Sequence, residues 1–103
     1  MKKTCLALAL AAASAAPALA QNKEALYIKS TAATCAACHG TNGQPLAGSP
    51  VIPLAGLPKE HIVSQMKAFQ SGARPATIMH QISKGYTDAQ IDQLATYFAA
   101  QKK

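Results

Sequence analysis

Two cysteines and a histidine stand close together in the first half of the chain. Two alanines separate Cys35 from Cys38, and His39 follows directly. Thiols at this spacing on one helical turn can both reach one edge of a porphyrin and form thioethers with its two vinyl groups. The histidine then lies beneath the iron, where its imidazole can bind. The pattern Cys-x-x-Cys-His therefore predicts one covalently attached haem c with His39 as proximal ligand.

Three other uses of these residues are weaker. A thioredoxin-like dithiol would need alternating strands and helices around it, and no convincing alternating apolar strand follows. A structural disulfide would leave His39 unexplained. A zinc site would need further ligands at suitable spacing, and His61 and His80 lie too far apart for the usual histidine pair.

The first 20 residues have the three parts of a secretory signal peptide. Lys2 and Lys3 precede the apolar stretch Leu6–Ala13, and the small-residue triplet Ala18-Leu19-Ala20 ends the segment. This order predicts cleavage after Ala20 and export, which in a bacterium means a periplasmic protein. No later stretch has the roughly 20 apolar residues of a membrane helix.

Residues 21–103 are then expected to form one small domain. Cys5 stands at the start of the apolar stretch rather than at its end, so we expect it to leave with the signal peptide. Without Lys2 and Lys3 the formal net charge of +6 falls to +4. The remaining basic residues are scattered and have no aromatic platform among them, which argues against nucleic-acid binding.

The rest of the chain predicts an all-α fold with one long loop. Asn22–Ser30 leads into a helix, and four prolines between residues 45 and 58 indicate a loop. A second helix is predicted from Pro58 to before Gly72, and a shorter segment spans Arg74–Ser83. The last helix starts at a capping box formed by Thr87 and Gln90.

Apolar residues recur at helical spacing in the two longer predicted helices. These residues are Ile62, Val63, Met66 and Phe69 in one, and Ile91, Leu94, Ala95 and Phe98 in the other. The loop carries the apolar residues expected of a segment packed on a porphyrin, namely Val51, Ile52, Leu54 and Leu57.

Four side chains could supply a sixth iron ligand: Met66, Met79, His61 and His80. Met66 shares the stripe of its helix, where methionine more often fills core space. Met79 is favoured because its segment can fold back over the haem, although it too could be a core methionine. His80 is adjacent to Met79, so only one of the two can face the iron, and the other is expected at the surface.

The order of these features resembles the class I cytochromes c across residues 21–103. The stretches 35–41, 52–56 and 66–72 are similar to the cytochrome c4 and c553 group. The stretch from Arg74 to Met79, followed by Lys84-Gly85-Tyr86, is most similar to the cytochrome subunit of flavocytochrome c sulfide dehydrogenase. The resemblance implies the class I fold, with three to five helices wrapped around one haem c.

The same resemblance implies roles for individual residues. Met79 falls where the family's axial methionine lies, so His39 and Met79 would both bind iron. A proline carbonyl would accept the hydrogen bond of the proximal imidazole. The segment around Pro53 is about one residue shorter than usual, so Pro53 is favoured and Pro50 is the alternative.

The function implied is electron transfer without catalysis, as the electron-accepting partner of an FAD-containing sulfide dehydrogenase subunit. Two alternatives stay open. The protein could be a free periplasmic carrier to an oxidase or another dehydrogenase. It could also be a gas-binding haem protein with an open sixth position, in which Met79 would only fill the core.

Overall fold

The computed structural model describes residues 19–103. The predicted signal peptide and Cys5 lie outside the described residues, apart from residues 19 and 20. Within this range the regular structure is helical throughout, which confirms the all-α prediction. The helices are α1 (residues 19–33), α2 (Ala36–His39), α3 (Lys59–Ser71), α4 (Met79–Ile82) and α5 (Asp88–Ala99), with short 3₁₀ turns at Thr41–Gly43 and Ser83–Gly85.

The ends of α3 and α5 follow local sequence signals. Pro58 was predicted as the first helical residue, but it is the N-cap, and α3 begins one residue later at Lys59. Gly72 ends α3 in the left-handed conformation with φ of 79°, which glycine adopts at little steric cost. The predicted capping box of α5 is present, with Thr87 and Gln90 each bonding the other's backbone N–H.

The core lies where α1, α3 and α5 meet. Its buried side chains are Ala32, Ile62, Leu94, Ala95 and Phe98. Leu94 and Phe98 lie one turn apart on α5, so the predicted apolar stripe of that helix is its buried face. Met66 and Val63 of α3 are half-buried and pack against this cluster.

The proline-rich loop between the 3₁₀ turn at Thr41–Gly43 and α3 is tied back to the helices at two places. The Gly43 carbonyl accepts hydrogen bonds from the N–H of Leu54 (2.9 Å) and of Ala55 (3.1 Å). The N–H of Gly56 donates to the Phe98 carbonyl at the end of α5 (2.9 Å). These bonds give the loop a defined path although prolines prevent helix formation in it.

The segment predicted over Arg74–Ser83 becomes helical only at Met79. Pro75 disfavours helical backbone at the residue before it. The chain after α4 is fastened to α3 by the Gln70 side chain, whose Nε2 donates to the carbonyls of Ser83 (2.8 Å) and Tyr86 (3.0 Å). None of the helices in residues 19–103 is long and apolar enough to cross a membrane.

Candidate haem site

The Cys-x-x-Cys-His residues form a single helical turn. Cys35 has helical backbone angles at the N-cap of α2, and its carbonyl accepts the His39 N–H at 2.9 Å. Gly40 then turns the chain with φ of 80° and ψ of 163°, a combination open essentially only to glycine. A Cβ at this position would lie 2.0 Å from the Gln44 carbonyl oxygen. The turn therefore presents both thiols and the imidazole from one short, sharply terminated helix.

These three side chains line a cavity of about 490 Å³ with a predominantly apolar wall. The loop contributes one part of the wall, through all four of the apolar residues that the sequence singled out, Val51, Ile52, Leu54 and Leu57. The core side contributes Ile62, Met66, Phe69, Leu94 and Phe98, and the segment before and within α4 contributes Thr77, Ile78, Met79 and Ile82. The volume is within the range of cofactor pockets.

The ring of His39 is held by the loop. Its Nδ1 lies 2.8 Å from the carbonyl oxygen of Ile52. Because a carbonyl can only accept, Nδ1 carries the proton, and the lone pair of the neutral imidazole is on Nε2. The imidazole is thereby set to bind a metal through Nε2.

The prediction that Pro53 supplies this carbonyl is wrong by one residue, and Pro50 is not the acceptor either. Pro53 is exposed and does not line the cavity. It contributes indirectly, because a proline biases the residue before it towards extended backbone. Its ring therefore restricts Ile52, the residue whose carbonyl contacts His39.

The two thiols differ in their surroundings. Cys35 is half-buried and Cys38 is exposed, and no disulfide joins them. Burial raises the pKa of the Cys35 thiol, and a hydrogen bond with the Thr34 side chain lowers it by a smaller amount. Cys35 is therefore a neutral thiol at neutral pH, the form in which sulfur and hydrogen can add across a vinyl group.

The structure separates the four candidates for a sixth ligand. Met79, Met66 and His61 line the cavity, and His80 does not. His80 is half-buried rather than at the surface, and its Nδ1 has no hydrogen-bond partner within residues 19–103. Met66 also packs against the core cluster, whereas Met79 is the first residue of α4 and is not part of that cluster.

Several polar residues of the cavity wall were not expected from the sequence. Gln65 and Arg74 line it together, and their side chains are hydrogen-bonded to each other. Thr34, next to Cys35, pairs with the Tyr86 hydroxyl (3.0 Å), joining the end of α1 to the chain that follows α4. Arg74 is one of the scattered basic residues of the sequence, and nothing in the spacing of those residues indicated a place in the cavity wall.

The residues present fit a haem. Neutral imidazole and thioether are established axial ligands of haem iron in cytochromes c. The flat macrocycle is apolar over most of its area, which matches the cavity wall. Two thiols at the rim would hold it covalently.

Comparisons with known proteins agree with this description. No family model matches the chain. It is 38% identical over 73 residues to cytochrome c-554(548) of Halomonas halodenitrificans, covering 67% of this chain and 86% of that protein. It is 42% identical over 73 residues to the thiosulfate dehydrogenase electron acceptor of Thiomonas intermedia, covering 69% and 33%. It is 41% identical over 66 residues to the cytochrome subunit of sulfide dehydrogenase from Chlorobaculum tepidum, covering 63% and 57%.

A solved structure gives the same result. The chain superposes on cytochrome c4 of Acidithiobacillus ferrooxidans with a TM-score of 0.59 and 38% identity, over 64% of this chain and 38% of that one. In the sequence comparisons, the aligned residues cover about a third of the Thiomonas protein and just over half of the Chlorobaculum protein.

The fold and the cavity define a class I cytochrome c. The chain belongs to the cytochromes c, and its fold is similar to that of a cytochrome c4. Electron transfer through covalently bound haem c is the activity of this family, and the predictions of an all-α fold, a haem c cofactor and an electron-transfer function are confirmed.

Proposed function

We propose that Cys35 and Cys38 bind one haem c through thioether bonds, with His39 and Met79 as its axial ligands. The observation that carries the proposal is that all four side chains line one apolar cavity. The orientation of the His39 ring adds to it, because the hydrogen bond to Ile52 leaves Nε2 free to bind iron.

Thioether formation would start from the two free thiols. For each cysteine, a carbon–sulfur bond forms to one vinyl carbon, and the thiol hydrogen adds to the other carbon. The half-buried Cys35 thiol remains protonated, as this addition needs. The bond from the exposed Cys38 would lie at the accessible rim of the cavity.

Met79 is proposed as the sixth ligand in preference to Met66. Both are half-buried and line the cavity, but Met66 is part of the packing around Ile62 and Leu94. Met79 follows a non-helical segment and lies outside that packing, and Gln70 anchors the chain beyond it.

Bound here, the haem supplies a one-electron couple whose ferrous state the methionine–histidine ligand pair favours. The protein's part is to fix both ligands, exclude water with the apolar wall and leave one edge accessible. Ile52, Ile78 and Ile82 line the cavity and are 52%, 54% and 40% exposed. Such a partly exposed apolar rim suits brief docking to a redox partner.

We further propose that the protein is exported to the periplasm and accepts electrons from an FAD-containing sulfide dehydrogenase subunit. The signal-peptide pattern of residues 1–20 supports export. The likeness to the Chlorobaculum sulfide dehydrogenase subunit supports the partner, and the Thiomonas relative also accepts electrons from a sulfur-compound dehydrogenase.

A free carrier is the second candidate. The chain covers 86% of the Halomonas cytochrome c-554(548), so a cytochrome of this size exists apart from the longer relatives. A free carrier would use the same haem, ligands and rim, and would differ only in its partners.

Mass spectrometry of the denatured protein, exported from a cell competent in haem attachment, tests the haem assignment. The expected mass is the chain from Gln21 plus one haem, and Cys35→Ala with Cys38→Ala should remove the added mass. A wild-type mass without haem would overturn the assignment.

Co-purification from the native source tests the partner. The cytochrome is expected to co-purify with a flavin-containing subunit and to be reduced by sulfide. If the cytochrome elutes without a flavin-containing subunit and sulfide does not reduce it in extracts, the free carrier is favoured.

A further inference from the structure

Arg74 is a half-buried cation in the wall of the haem cavity. It lies between the end of α3 and the start of α4, and its backbone N–H donates to the Ala68 carbonyl at 3.1 Å. Its guanidinium carbon is 4.7 Å from the centroid of the Phe69 ring, within the range of a cation–π contact. Its Nη1 donates to Oε1 of Gln65. Two neighbours on α3 therefore fix the guanidinium, and all three side chains line the cavity.

The charge of Arg74 has no carboxylate partner within residues 19–103. The ion pairs in that range are Lys59 with Asp92 and Lys67 with Asp88. The chain has only four acidic residues, and the remaining two, Glu24 and Glu60, are exposed and do not line the cavity.

A half-buried guanidinium beside an apolar wall would be stabilised by an anion. Its guanidinium has five N–H donors in a planar fork, and the Gln65 bond uses one of them. A partly buried charge left unpaired is destabilising, whereas a carboxylate matches the fork with two parallel hydrogen bonds.

We propose that Arg74 binds a propionate carboxylate of the haem, an inference that rests on the proposed haem attachment. Phe69 and Gln65 hold the guanidinium in place before the carboxylate arrives, so little side-chain freedom is lost on binding. Arg74 precedes Met79 by five residues, so the ion pair also ties the ligand-bearing segment to the cofactor. Arg74 is thus a positioning residue for Met79 and keeps that propionate ionised.

The pH dependence of the midpoint potential distinguishes this role from a structural one. Holo wild type, Arg74→Gln and Arg74→Lys are titrated from about pH 5 to 8. The imidazole of His61 also lines the cavity, so each protein is also made with His61→Gln to remove any contribution of that ring to the pH dependence. The phenol of Tyr86 is another polar group of the cavity wall. Lys84→Gln, which removes an exposed cation, is the control for loss of charge alone.

In the His61→Gln background, the protein that retains Arg74 should have a midpoint potential that does not change with pH. Arg74→Gln should make the potential fall as pH rises, because the unpaired propionate takes up a proton on reduction, and the methionine–iron absorption band should weaken. Arg74→Lys should restore much of the pH independence. The Lys84→Gln control should show only a uniform shift.

Two results would overturn the proposal. One is a pH-independent potential in Arg74→Gln, shifted no more than in Lys84→Gln. The other is a loss of thermal stability in Arg74→Gln with potential and band unchanged. Absence of haem from the wild-type protein would instead refute the proposed attachment, so the two failures are distinguishable.

Discussion

His39 Nδ1 lies 2.8 Å from the carbonyl oxygen of Ile52, thirteen residues further along the chain. This one hydrogen bond connects the helical turn that bears the cysteines to the proline-rich loop. It sets the imidazole tautomer and the plane of the ring, so the loop directly influences the proposed iron ligand. Loop residues that never touch a cofactor can therefore change its potential.

Pro53→Ala should loosen this bond. Alanine frees the backbone of Ile52 from the restriction that proline imposes, and we expect a loss of about 0.4–1 kcal/mol in the free energy of unfolding. A weaker bond at Nδ1–H makes the imidazole a poorer electron donor, so the midpoint potential should rise. Voltammetry and thermal unfolding of the holoprotein measure both effects.

Pro50→Ala is the matched control for that variant. Pro50 lies in the same loop and lines the cavity, but the residue before it does not bond to His39. We expect a similar change in stability with a smaller change in potential. Equal potential shifts in the two variants would contradict a specific role for the Ile52–Pro53 peptide.

Met79→Ala and Met66→Ala should differ in their effects on the methionine–iron absorption band. Loss of the axial thioether should abolish the methionine–iron charge-transfer band and lower the potential, since thioether ligation raises it. Met66→Ala should retain the band but cost about 2 kcal/mol of stability, at the low end for a methionine that is only partly buried. A band that survives in Met79→Ala and disappears in Met66→Ala would reverse the ligand assignment.

Much of the helical framework could be predicted because its signals are local. The limits of α3 follow from Pro58 and Gly72, and the start of α5 follows from the capping box. The Cys-x-x-Cys-His pattern likewise predicted that both thiols and the imidazole lie on one helical turn. Each of these depends on residues within one or two turns of one another, so spacing alone conveys the geometry.

The parts that could not be predicted depend on contacts between distant segments. The acceptor for His39 is Ile52 rather than Pro53 because the loop is fixed by Gly43 at one end and by the Phe98 carbonyl at the other. Arg74 looked like a surface cation, although its position just after the glycine that ends α3 was a signal that it could fold back onto that helix.

Gln70→Ala tests the anchor beyond Met79. The variant leaves the carbonyls of Ser83 and Tyr86 without their side-chain donor. Ser83 is fully buried, so we expect a loss of about 1–3 kcal/mol in the free energy of unfolding. Denaturant titration of the holoprotein measures it. Gln81→Ala, at an exposed glutamine of α4, is the control and should change stability by less than about 0.5 kcal/mol. A Gln70→Ala variant as stable as the control would show that the anchor contributes little.

Gly43→Ala, at the end of the 3₁₀ turn that precedes the loop, should be more damaging than Gly48→Ala within the loop. Gly43 and Gly48 have φ of 79° and 82°, so an alanine at either adopts the left-handed conformation at a cost of about 1–2 kcal/mol. A Cβ on Gly43 would also lie 2.9 Å from the Ala55 nitrogen, the Leu54 Cβ and the Phe98 ring, whereas a Cβ on Gly48 meets nothing within 4 Å.

The difference between these two variants isolates the overpacking. We expect the free energy of unfolding of Gly43→Ala to be about 1–3 kcal/mol lower than that of Gly48→Ala. Because the Gly43 carbonyl also holds Leu54 and Ala55, a displaced Gly43 moves the loop that presents Ile52 to His39. The midpoint potential should therefore change in Gly43→Ala and stay constant in Gly48→Ala. Equal stabilities and equal potentials would mean that the loop does not rely on close packing at Gly43 to hold the imidazole.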